Sequence, residues 1–403
     1  MRSTVPWRLD PSVIFLNHGS FGACPEGVLA TQAEWRDRME REPVLFLGRE
    51  LEGLLEAARV RVGAFLGADP DDLAFVPNAT TGVNTVLRSL NFAPGDELLT
   101  TDHEYNATLN AIAEVARRDK ARVVIARIPF PLRDASEVVD AILSAVTPRT
   151  RLALVSHVTS PTGLVLPVAD IVRELAARDI DTIVDAAHAP GMVPVDVDAL
   201  GAAYWTGTAH KWLCAPKGSA VLHVRRDRQP GIHPLAISHG ANDPRPDRSR
   251  FRLEFDWTGT LDPTAWLTVP AAIDVMSRLL PGGWPAIMEA NRALALAGRE
   301  VLCDRLDVDP PAPDSMIGSL AAVLLPMELD DAVAAELQRT LFDEDRIEVP
   351  VYGWPVPAAR APGDGPRGVT VRISAQLYNS LDDVERLATV LRARLARRQA
   401  AAP

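Results

Sequence analysis

The chain has 403 residues, too many for one small core and enough for a large domain with a smaller companion. Hydrophobic residues make up 47% and charged residues 24%, an ordinary globular balance, while a formal charge of -11 without a long basic run argues against nucleic-acid binding. The opening MRSTVPWRLD lacks the apolar core of a secretion signal and no apolar stretch could cross a bilayer, so a cytoplasmic protein without a membrane partner is expected.

The N-terminal segment carries a short apolar run, Val13–Leu16, into Asn17–Gly22. Helical periodicity follows over Gly27–Glu40 and Glu50–Leu66. Strand-like runs then alternate with amphipathic stretches. The strands are predicted at Leu73–Val76, Glu97–Thr100, Arg122–Ile125, Leu152–Ser156, Thr182–Val184, Ala202–Trp205 and Ala220–Val224. Helices are predicted at Gly82–Leu90, Ala107–Arg117, Ser136–Val146 and Val168–Arg178. Such alternation, with strands apolar almost throughout, predicts an α/β fold with a mostly parallel sheet covered on both faces. A ligand site is then expected beyond the carboxyl ends of the strands. A loop rich in Pro, Arg and Asp, Ser238–Arg250, interrupts the pattern. Long helices follow at Pro263–Leu280 and Trp284–Leu306, then a strand near Leu320–Leu325 and a helix near Asp330–Thr340. A strand at Gly368–Ile373 and a final helix at Leu381–Arg397 complete a smaller α+β unit, with Val351–Pro366 read as a surface loop over a cleft.

Cys24, Cys214 and Cys303 are odd in number and far apart, which suits reduced, buried residues better than a disulfide framework or a metal knuckle. No H-E-x-x-H pair points to a metal, and no G-x-G-x-x-G follows the first strand. Only three lysines occur, Lys120, Lys211 and Lys217, so amine chemistry has three candidates. Lys120 sits among charged residues and reads as solvated, and Lys217 is the weaker of the other two. Lys211, in Trp205-Thr-Gly-Thr-Ala-His-Lys-Trp212, follows a strand in a turn of small residues. Desolvation there would lower its pKa and free the amine for Schiff-base chemistry.

Three further segments share that context. Asp185 closes the apolar strand Ile180–Val184, where a carboxylate either caps a turn or faces a cation such as a pyridinium nitrogen. In Phe75–Gly82 a strand ends and a helix begins at Thr80 and Thr81, a plain cap or a phosphate cradle. Arg372, inside an apolar strand, implies a carboxylate partner, either internal or on a substrate.

Seven motifs in order extend these readings: FLNHGSFG (15–22), NATTGVN (78–84), DHEYNA (102–107), SHVTSPTG (156–163), DAAHAPG (185–191), HKWLCAPKG (210–218) and VRISAQLYN (371–379). Together they resemble the class V aminotransferase group of fold-type I pyridoxal-phosphate enzymes, and within it the isopenicillin N epimerase-like family. The resemblance spans nearly the whole chain. It implies a large domain (17–262) built on a mostly parallel seven-stranded sheet, a smaller C-terminal domain (263–403), and an N-terminal segment (1–16) packed on the latter. Lys211 would hold pyridoxal 5'-phosphate as a Schiff base and Asp185 would pair with its ring nitrogen. His103 would stack on the ring, and Ser160 and His188 would lie near its phenolic oxygen. Thr80, Thr81, Thr208 and His210 would hold the phosphate. Gly259 and Thr260, in DWTGTLD, would reach the phosphate of a partner subunit, implying a homodimer with shared sites. Arg372 would bind the substrate carboxylate, with Asn17, His18, Tyr105 and Asn106 on the substrate side.

The same resemblance implies a reaction that starts by removing the α-proton of an amino-acid substrate, with Lys211 as the base. Elimination of a β-thiolate would make the protein a C–S lyase or a tailoring enzyme for an S-substituted cysteine. Return of the proton to the other face would make it an epimerase, with Tyr105 or His18 as second acid, and its return to the cofactor an aminotransferase. Cysteine desulfurases of the group use a loop cysteine, whereas 348–367 contains none. The relatives' Asn near the phenolic oxygen is Ser160 here.

Overall fold

A computed structural model describes residues 7–326, 331–360 and 368–401. Twelve strands are described, β1 (Ile14–Phe15), β2 (Leu73–Val76), β3 (Glu97–Thr101), β4 (Arg122–Ala126), β5 (Thr150–Ser156), β6 (Asp181–Ala186), β7 (Tyr204–Thr208), β8 (Ala220–Val224), β9 (Leu320–Leu324), β10 (Ile347–Glu348), β11 (Val351–Trp354) and β12 (Gly368–Ser374). The main sheet has seven, in the order β2-β8-β7-β6-β5-β3-β4. Only β8 runs against the rest, pairing antiparallel with β2 and β7. The sheet is apolar on both sides because neighbouring residues alternate between two packed layers. Leu99, Val155, Val184 and Trp205 enter one layer. Leu98, Leu154, Ile183 and Tyr204, each one residue earlier, enter the other.

The second sheet, β11-β12-β9, is antiparallel, and the helix Gly283–Leu306 packs between it and Leu381–Ala401. The N-terminal run joins this side of the molecule, with β1 parallel to β10 through Ile14↔Ile347 and Phe15↔Glu348. No helix among the described residues is long and apolar enough to span a membrane. All three cysteines are free and buried.

Three expectations need correction. The strand read at Ala202–Trp205 runs over Tyr204–Thr208. Its Thr-Gly-Thr tail looks like a breaker, but Trp205 folds over Gly207, where a Cβ would sit 2.3 Å from the indole, so only glycine keeps the strand going. The helix read at Pro263–Leu280 is divided into Thr264–Leu267 and Val269–Ser277, because Pro270 offers no N–H to the preceding turn. The loop read at Val351–Pro366 begins as β11, paired with β12; residues 361–366 lie outside the described residues.

Candidate active site

Because β2, β5, β6 and β7 run in one direction, their carboxyl ends bring Pro77, Ser156, Asp185 and Thr208 to one edge of the sheet. Those four residues line a cleft of about 310 Å³ together with Ala79, Thr80, Tyr105, Ser160, His188, His210 and Lys211. Ser20 and Phe21 of the N-terminal segment close one side.

Lys211 lies in the turn after β7, and two glycines let neighbouring chain approach it. A Cβ on Gly22, whose φ is +71°, would stand 2.2 Å from the His210 carbonyl oxygen. One on Gly191, at φ +83°, would stand 2.6 Å from the Trp212 carbonyl oxygen. The Lys211 amine is 3.2 Å from His188 Nε2. Burial, reinforced by Arg372 and opposed by Asp185, lowers its pKa to about 8. The other lysines are engaged elsewhere: Lys217 donates to the Gly22 carbonyl at 2.6 Å, and Lys120 is exposed at a helix end.

Asp185 is 4% exposed and held by two donors, the Ala187 N–H at 3.0 Å and the Thr108 hydroxyl at 3.1 Å. Burial nonetheless raises its pKa, outweighing these two bonds and the attraction of Lys211. A second carboxyl, Glu104, is fully buried nearby, and its pKa too is raised by burial and then by Asp185. The Ser156 hydroxyl (2.5 Å) and the Tyr105 N–H (2.9 Å) both donate to Glu104 Oε1, leaving Oε2 without a partner. Neither Glu104 nor Ser156 stood out in the sequence; the parallel register that sets Ser156 opposite Asp185 is the only signal, and it is tertiary.

At the other end of the cleft, the Asn78 side chain caps the helix Ala79–Ser89 by accepting from the Thr81 N–H at 2.8 Å. The Thr81 hydroxyl donates to the same oxygen at 3.1 Å, so Thr81 serves the cap and does not line the cleft. Ala79 and Thr80 do line it, and their N–H groups have no acceptor among the described residues. Thr208 donates to the Ala187 carbonyl at 2.6 Å. The His210 ring is oriented by the Ser219 carbonyl at 2.9 Å, and burial lowers its pKa to about 4.

Arg372 is completely buried on β12 and has no acidic partner among the described residues. It donates to the Ser160 carbonyl and, at 3.3 Å, to the Ser160 hydroxyl, with its guanidinium 5.4 Å from the Tyr352 ring centroid. Its Nε and Nη2 have no partner among the described residues. A buried guanidinium with unused donors beside a cleft is arranged for an anion from outside the chain.

Besides Thr81, five residues expected at the site lie elsewhere. His103 is fully buried, accepts or donates at Thr162 Oγ1 (2.8 Å), and packs edge-on against Trp354 and Phe130, at centroid distances of 4.3 and 5.5 Å. It does not line the cleft, and Tyr105, two residues on, does. His18 is also fully buried: Nδ1 meets the Tyr378 hydroxyl at 2.8 Å and Nε2 the Lys211 carbonyl at 3.0 Å. Burial lowers its pKa to about 3, so it latches the Lys211 turn to the C-terminal side as a neutral ring. Asn17 donates to Glu348 at 2.8 Å and accepts from Ser20 at 2.5 Å, joining β1 to β10 beside a neighbouring hollow. Asn106 is exposed at the start of a helix. Thr260 is exposed and borders a separate hollow with Trp257 and Arg245. Local sequence could not reveal these directions, because each depends on which element covers the turn.

The cleft fits a phosphorylated aromatic aldehyde. It offers one low-pKa amine, a buried carboxylate, and helix N–H groups free among the described residues with adjacent hydroxyl and imidazole groups.

Residues 33–387 match the family model described as aminotransferase class-V. The chain is 39% identical to an isopenicillin N epimerase of Amycolatopsis lactamdurans, over 95% of this chain and 96% of that one. It is 31% identical to a probable chloroplastic L-cysteine desulfhydrase of Arabidopsis thaliana, over 94% and 82% of the two chains. Among solved structures, the cysteine desulfurase CsdA of Escherichia coli superposes with a TM-score of 0.77 at 21% identity, covering 97% of this chain and 96% of that one. A mutant of C-DES with glycine covalently linked to its PLP cofactor gives 0.74 at 20%, covering 95% and 97%.

Proposed function

The chain belongs to the class V aminotransferase family and is a pyridoxal-phosphate enzyme, and from that premise we propose that it is a C–S lyase acting on an S-substituted cysteine. When bound, pyridoxal phosphate supplies an aldehyde for amines and a ring that stabilises negative charge at the α-carbon. Lys211 would hold the cofactor through its amine, and that same amine is the base that would take the α-proton. Asp185 supplies the carboxylate for a protonated ring nitrogen, and Ser160 and His188 serve the phenolic oxygen. The N–H groups of Ala79 and Thr80, with Thr208 and His210, receive the phosphate. Tyr105, which lines the cleft where His103 does not, would pack against the cofactor. Arg372 turns its unused Nε and Nη2 to the substrate carboxylate. Gly259, half-buried, and Thr260, exposed, lie away from this chain's cleft and would serve a partner's site in a homodimer.

The observation that carries the lyase reading is the desolvated Lys211 amine lining the cleft. Elimination needs one base, and Lys211 is a low-pKa amine there, while His18, a candidate second acid, is locked away against Tyr378. The epimerase reading keeps one observation of its own: Tyr105 lines the cleft and could return a proton, and an isopenicillin N epimerase is 39% identical. The test is a panel of S-conjugated cysteines and D- and L-amino acids in deuterated water, with products identified by mass. The lyase reading expects pyruvate and a thiol. An intact carbon skeleton carrying deuterium at the α-carbon refutes it in favour of epimerisation.

A further inference from the structure

An indole nitrogen can only donate a hydrogen bond, and Trp212 Nε1 lies 3.2 Å from His188 Nδ1. The accepting nitrogen therefore has no proton. In the neutral ring the proton sits on Nε2, which is 3.2 Å from the Lys211 amine. The ring is neutral because it is only 2% exposed; burial lowers its pKa well below the usual value, and the positive charge of Arg372 adds to this.

We propose that Trp212 is a positioning residue that fixes the proton of His188 on Nε2, making His188 a donor to the Lys211 amine and favouring that amine as the free base. An ammonium at Lys211 would set N–H against N–H, whereas a neutral amine offers a lone pair in line with the donor. Three groups face Lys211: Arg372 disfavours its charge, Asp185 favours it, and His188, neutral, tips the balance through its tautomer. Among the described residues the indole N–H has no other acceptor, and the ring packs with Val158, Met192 and Leu320, with the His18 ring at 4.9 Å. Adjacency in sequence matters here. The turn that presents the amine also presents the group that sets its neighbour's tautomer, and the lack of a side chain at Gly191 lets the two segments meet. This assignment holds whichever reaction follows proton removal.

Two measurements on the apoprotein test it. Long-range proton–nitrogen correlation of isotope-labelled histidines reports the tautomer directly, with His188 identified by the signals lost in His188→Gln. The expected spectrum has a protonated Nε2 and a bare Nδ1 throughout the neutral range; a proton on Nδ1 overturns the proposal. Competitive acetylation with acetic anhydride, read peptide by peptide, then compares wild type with Trp212→Phe. With three lysines in the chain the peptides are unambiguous, and exposed Lys120 is the internal standard. Loss of the lock should slow acetylation of Lys211 about tenfold below its titration midpoint, the equivalent of one unit of pKa, with Lys120 unchanged. Equal rates at Lys211 in the two proteins also overturn the proposal. If Trp212→Phe does not fold, the wild-type spectrum decides alone.

Discussion

Replacing Lys211 with methionine should make the apoprotein more stable, though it removes the essential amine. In the folded chain burial depresses the Lys211 pKa from 10.5 to about 8. Below about pH 8 both folded and unfolded chains carry the proton, and the folded one carries it at a cost. Between the two values the unfolded chain binds more protons, so stability rises with pH and the cost is gone above 10.5. A shift of 2.5 units, from 10.5 to about 8, corresponds to about 3 kcal/mol at neutral pH, an upper bound because the residue is partly open to the water-filled cleft. Methionine keeps the chain length and removes the charge, but it strands the His188 N–H, which takes back about 1 kcal/mol. The net expectation is a gain of about 2 kcal/mol near neutral pH, shrinking steadily as pH rises through the folded-state pKa. Urea unfolding of the two apoproteins at several pH values measures this directly. A Lys211→Met protein no more stable than wild type at neutral pH, or a gain that grows with pH, would refute the desolvated-amine argument.

Arg372→Ala should leave the bound cofactor's colour intact while weakening amino-acid binding about 100-fold, the equivalent of a lost bidentate charge-assisted contact of about 3 kcal/mol. Absorbance titration measures it, and unchanged affinity would leave Arg372 with only its bonds to Ser160. Gly22→Ala should destabilise the protein by about 2 kcal/mol or more, since the new Cβ meets backbone in a left-handed conformation. Its Cβ would lie 2.2 Å from the His210 oxygen, so an unchanged urea midpoint would mean that the Lys211 turn is free to retreat.

The strands of the main sheet could be read from sequence because a strand covered on both faces needs apolar residues at nearly every position. Leu154 and Val155, or Ile183 and Val184, satisfy two layers at once. A side chain at the end of such a strand has little choice of location, which is why Asp185, Thr208 and Lys211 all reach the cleft. The break at Pro270 and the start of β11 were harder. A proline two residues into a helix is a good start signal and an equally good interruption, and β11 exists only because β12 pairs with it. Turn residues were the least legible. Asn17, His18, His103 and Asn106 sit in motifs beside the site, and each is claimed by another element or left in solvent.

Sequence alone determined the α/β alternation, the family order of the motifs and the amine–carboxylate pair, because these depend on strand periodicity and on positions a few residues past strand ends. Only the tertiary structure decided that His18 latches the lysine turn, that His103 turns to Trp354, and that Glu104 is buried beside Asp185. Those outcomes depend on contacts between segments far apart in the chain, and no local pattern encodes which face of a turn the fold will cover.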